Sequence, residues 1–89
     1  MQAANSNDDN QALALRALVW TLAEPQRAIR LLDTTGLDPR ALRASAGDPA
    51  VLAALLGFLE AHEPDLIACA AGLGVPPAAL VAARAELDA

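Results

Sequence analysis

Aromatic side chains are almost absent from this chain, which has one Trp, one Phe and no Tyr in 89 residues. A core must therefore be built from aliphatic groups, with few of the rigid anchors that dominate binding surfaces. A single cysteine, Cys69, excludes an intramolecular disulfide and a Cys-based zinc cluster, and it fits a reducing compartment. Lysine is missing altogether: the six cations are all Arg, set against 11 acids for a formal net charge of −5. That balance argues against generic binding to nucleic acid or acidic lipid, both of which reward a basic surface. β-Branched residues are sparse and no stretch alternates with period two, so an all-α fold is expected. The longest apolar runs, 50–59 and 66–75, are about half of the ~20 residues that a bilayer span requires. The first residues carry neither a positive region nor an apolar run, so they do not read as a signal peptide, and a cytoplasmic location without membrane association is expected.

What the chain does have is Ala, Leu and well-placed proline. Residues 48–62 read as a central helix, with Asp48 as N-cap and Pro49 at the first helical position. At 100° per residue, Val51, Leu52, Leu55, Leu56, Phe58 and Leu59 share an arc of roughly 160°. Small residues occupy the other side, and Ala53, Gly57 and Ala61 predict a close approach to a neighbouring helix there. Five more helices follow from the same signals. The first runs from a cap among Asp8, Asp9 and Asn10 to about Glu24, with Leu15, Leu18, Val19 and Leu22 as its inward stripe. The second starts at Pro25, faces Ala28, Ile29 and Leu32 inward and stops at Gly36. Asp38-Pro39 opens a third, with Leu37 and Leu42 placed as a hydrophobic staple. Glu63-Pro64 opens the fifth and Pro76-Pro77 the sixth, which buries Leu80, Val81, Ala83 and Leu87.

The expected architecture is one domain over residues 9–89, a bundle of about six short helices behind a disordered tail at 1–8. Two similar three-helix halves, about 9–47 and 48–89, are suggested by an internal match. Glu24-Pro25, a helix and Gly36-Leu37-Asp38-Pro39 are echoed by Glu63-Pro64, a helix and Gly74-Val75-Pro76-Pro77.

Candidate chemistry is thin. His62 and Cys69 could form a nucleophilic dyad only within hydrogen-bond reach and with a third group to orient the base. They fall on successive helices either side of Pro64, and both read as structural. No second His exists to complete a metal site, no Gly-rich phosphate loop opens a helix after a strand, and no cofactor is implied. Two surface readings stand beside their structural counterparts. Leu13, Ala17 and Trp20 lie away from the main stripe of the first helix, as a partner patch or as residues covered by another helix. Arg27, Arg30, Arg40 and Arg43 could form a basic face, or a solvated one. Residues 10–47 hold five Arg and three acids, whereas residues 48–89 hold one Arg and six acids. The turns at Gly36 and Gly74 have helix-turn-helix character, but the helix after Gly74 offers Pro and Ala, which read no base edge.

One set of residues resembles a known family. Trp20-x-Leu22-Ala23, Arg30-x-Leu32, Thr35-Gly36-Leu37-x-Pro39-x-x-Leu42-Arg43, Asp48-Pro49 and Phe58-Leu59-x-x-His62-Glu63 are similar to a family of short helical proteins from alphaproteobacteria. That family is known only as a domain of unknown function, number three-five-seven-two. The resemblance spans about residues 11–87; family members often carry Phe at the position of Leu31 and Asp at that of His62. It implies a helical fold and brings no activity, cofactor or partner. The expected function is a non-enzymatic interaction module that binds an unknown protein or itself. The alternative is a small nucleic-acid-binding regulator.

Overall fold

Each proline sits at a helix start, where its missing N–H costs no hydrogen bond, and an acid precedes four of the six. The computed structural model describes residues 2–88, with side chains for residues 9–40 and 42–88. It contains α1 (Gln2–Leu22), α2 (Pro25–Thr35), α3 (Pro39–Ala44), α4 (Pro49–Glu60), α5 (Glu63–Leu73) and α6 (Pro77–Asp88), with no strand among the described residues. Before α2, Glu24 is extended and its carboxylate accepts the Arg27 N–H at 2.9 Å. Before α4, Asp48 does the same for the Ala50 N–H at 2.9 Å. Such caps are worth about 1 kcal/mol each. α1 begins at Gln2, so its helical backbone takes in residues 2–8, where the sequence predicts a tail; Met1 of that tail lies outside the described residues. Extending a helix that is already nucleated needs only one further hydrogen bond per residue fixed.

Gly36 and Gly74 close α2 and α5 at φ of 75° and 74°, left-handed values that suit only glycine without strain. After α5 the Gly74 N–H bonds Ala71 O and the Val75 N–H bonds Ala70 O, a Schellman pair. After α2 the Gly36 N–H bonds Leu32 O, the simpler left-handed closure. The halves thus share a glycine turn and diverge beyond it. α3 has 6 residues and lies at the periphery, while α6 has 12 and packs against α1, α4 and α5.

The core is organised around α4, which buries Leu52, Leu55, Leu56, Phe58 and Leu59. Each is worth about 1.5–3 kcal/mol when fully buried, so this helix supplies the largest share of the apolar stabilisation. Its neighbours must be small to come close. α1 offers Ala14, Ala17, Leu18 and Thr21, and α6 offers Ala83 between Leu80 and Leu87. Thr21 is fully buried, with its hydroxyl donating to Ala17 O at 2.8 Å. α5 adds Leu66, Cys69 and Ala70, α2 adds Leu31, and α3 adds Leu42.

This packing corrects several facings. α1 is rotated from its expected orientation: of the bulky stripe only Leu18 is buried, while Val19 is 68% exposed and Leu22 40%. On α2, Leu31 is the buried residue and Ile29 is 59% exposed. The small side of α4 meets α6 at Gly57, where an added Cβ would lie 3.8 Å from Arg84 Cδ. Arg84 also bonds Glu60 of α4 and Asp88 of its own helix. Ala53 is buried as expected, but Ala61 is exposed beyond the end of the helix. On α6, Val81 sits at the margin of exposure, whereas Leu80, Ala83 and Leu87 are buried as expected.

No single helix among the described residues is long and apolar enough to cross a membrane. α5 and α6 meet that test only as a pair, bent by 101° at the Gly74 turn.

Candidate interaction surface

The rotation of α1 leaves Val19 and Leu22 outward, with Leu15 half-buried one turn before them. They recur at i, i+4 and i+7, so they form one ridge along the helix. Two grooves flank it. One, about 370 Å³, runs between this ridge, Ala28 and Leu32 of α2, and Pro39 and Leu42 of α3. Arg43 is the one charged residue lining it. The second, on the other side of Val19, is lined by Leu15, Arg16, Trp20 and Leu73.

Local chemistry fixes these walls. Trp20 is half-buried, and the Arg27 guanidinium stacks on its ring with Cζ 3.7 Å from the centroid. Arg27 also donates from Nη2 to Trp20 O at 2.8 Å, which sets α2 against the end of α1. The stack leaves Arg27 Nε buried without a hydrogen-bond partner, a cost offset by the cation–π contact. Arg16 donates to Leu73 O at 2.9 Å, tying α1 to the C-terminus of α5 and satisfying a carbonyl that the helix leaves free.

The sequence candidates are distributed differently from expectation. Leu13, Ala17 and Trp20 do not form an exposed patch: Ala17 is 0% exposed, and Leu13 and Trp20 pack partly buried against the core. Two members of the basic set are committed to partners within the fold, since Arg27 covers Trp20 and Arg30 pairs with Asp65 of α5 at 2.7 Å. Arg40 and Arg43 are exposed on α3 and make no ion pair among the described residues. The four arginines therefore do not act as one basic face. α6, the helix after the Gly74 turn, buries Leu80, Ala83 and Leu87 in the core and exposes Pro77, Ala78, Val81 and Ala82, which have no polar group to read a base edge.

His62 and Cys69 are not brought together as a dyad. His62 is exposed at the N-cap position of α5, with Nδ1 3.4 Å from Asp65 Oδ2. Cys69 is fully buried, and burial pushes its thiol up to about 11, against a smaller opposing pull from the Arg27 charge. A thiol so placed stays protonated near neutral pH and is a poor nucleophile. Among the described residues, no group of three His, Cys, Asp or Glu side chains could hold a metal ion. Arg30, Asp65 and His62 instead form a polar clasp between α2 and the start of α5.

A family model matches residues 7–89, nearly the whole chain. The chain belongs to the family DUF3572. That family is described as a protein of unknown function, so membership assigns chemistry to no residue. No curated protein and no solved structure matches the chain.

Sequence periodicity conceals the Val19–Leu22 ridge as a surface, because its pattern is that of a core stripe. The available signal is the second stripe of Ala14, Ala17, Leu18 and Thr21, which has the same spacing and less bulk.

Proposed function

We propose that this chain is a non-enzymatic, cytoplasmic interaction module that binds a partner protein through the outer face of α1 and the groove beside it. The observation that carries this reading is the ridge of Val19 and Leu22, 68% and 40% exposed, between two largely apolar grooves. Leaving such groups in water forgoes burial worth about 25 cal/mol per Å², and contiguous exposed apolar surface marks interaction sites. The inert environment of Cys69 and the engagement of His62 with Asp65 support a role without covalent chemistry.

A photo-cross-linking residue placed at Val19, and in a control chain at Ala82 on the exposed side of α6, tests the proposal in the native cell. A defined protein adduct from position 19 and none from position 82 is expected. Equal labelling from both positions, or none from position 19, would refute it.

A further inference from the structure

We infer that the groove between α1, α2 and α3 receives an amphipathic helix of a partner protein, with acidic residues flanking its apolar ridge. This rests on the interaction reading above and adds the chemistry of the occupant.

Charge supplies the argument. Of the six arginines, Arg16, Arg27, Arg30 and Arg84 are engaged within the fold, by Leu73 O, Trp20, Asp65, and Glu60 with Asp88. Arg40 and Arg43 are exposed and make no ion pair among the described residues, and Arg43 is the one charged residue lining the apolar groove. On a chain of net charge −5, Arg40 and Arg43 line one depression with Asp38 and Pro39, and Arg43 and Pro39 carry it into the apolar groove beside the ridge. An occupant that buries the ridge and meets these guanidiniums needs apolar groups next to carboxylates.

Shape favours a helix over a small ligand. A small molecule is usually enclosed by its pocket, whereas the lip residue Val19 stays 68% exposed and a second groove continues beyond it. A helix laid along the ridge covers both sides, with contacts at i, i+3, i+4 and i+7. Nucleic acid would gain only two free cations against a net negative chain.

The test uses the full chain and a displayed library of helical peptides. Each peptide carries a fixed Leu ridge at i, i+4 and i+7, with flanking positions varied among Glu, Lys and Gln. Enrichment of Glu is expected. The affinity of the best peptide should fall about tenfold in the R40E/R43E double variant and weaken with salt. Exchanging its Glu for Lys should restore binding to that variant. Both arginines are exposed, and an unchanged helical circular dichroism spectrum checks that the variant is folded.

Binding lost in V19E but indifferent to both arginines would overturn acid recognition and leave the interaction surface standing. Peptides bound equally by V19E, or no peptide retained at all, would overturn both readings. A dimer in sedimentation equilibrium that V19E dissociates would make a second copy the occupant and overturn the inference. So would Arg-dependent binding of a single- or double-stranded oligonucleotide in place of the peptides.

Discussion

The edge of the Trp20 indole lies against Gly72: a Cβ built on that glycine falls 3.0 Å from Nε1 and 3.2 Å from Cδ1. Gly72 is in α5, where glycine is otherwise unfavourable by about 1 kcal/mol relative to Ala, so close approach accounts for its place. With Arg27 stacked on its face, the ring has little room to retreat.

Two glycine-to-alanine substitutions should therefore differ in sign. G57A, whose Cβ would meet Arg84 Cδ at an ordinary 3.8 Å, should stabilise by about 0.5–1 kcal/mol through helix propensity. G72A should destabilise by about 1 kcal/mol through overpacking against Trp20, and should alter the Trp emission. Urea denaturation followed by fluorescence measures both.

Arg27 holds the Trp20 wall in place. R27A should cost about 1–2 kcal/mol, from the lost cation–π stack and the hydrogen bond to Trp20 O. It should also make Trp20 more accessible to acrylamide, read as a steeper quenching slope. R40A, which removes an exposed group on α3, should leave both stability and quenching near the parent values.

Alkaline pH isolates Cys69, because the chain has no Lys or Tyr to titrate beside it. Its thiol is raised from 9.0 to about 11 by burial. The unfolded chain thus loses this proton first, and stability should fall as pH rises from about 9 towards 11. At about 1.4 kcal/mol per pKa unit, the loss is on the order of 2–3 kcal/mol. Urea midpoints across this range should drop for the parent and stay flatter for C69A, whatever the offset caused by its small cavity.

The helix starts were legible because proline and acidic caps act locally: Glu24-Pro25 and Asp48-Pro49 specify their own geometry whatever packs against them. The left-handed turns at Gly36 and Gly74 were legible for the same reason. The rotation of α1 was not. Hydrophobic periodicity assigns the bulkier stripe to the core, but here α4 fills the centre with Leu and Phe, and α1 must approach it through Ala14, Ala17 and Thr21. On α2, Leu31 takes the buried place expected for Ile29 for a related reason, since its facing is set by contacts with α1 and α4. The candidate surface was hidden by the same inversion, with the residues assigned to the core forming the ridge and Ala17 of the expected patch buried beneath it.

The facing of α1 is tested most directly by the urea midpoints of V19E and A17E, measured side by side. Val19 is 68% exposed, so V19E should stay within about 0.5 kcal/mol of the parent. Ala17 is 0% exposed, so A17E buries an unpaired carboxylate and should lose at least about 3 kcal/mol. A V19E chain that unfolds while A17E keeps the parent midpoint would contradict the facing, and with it the ridge on which the proposed interaction depends.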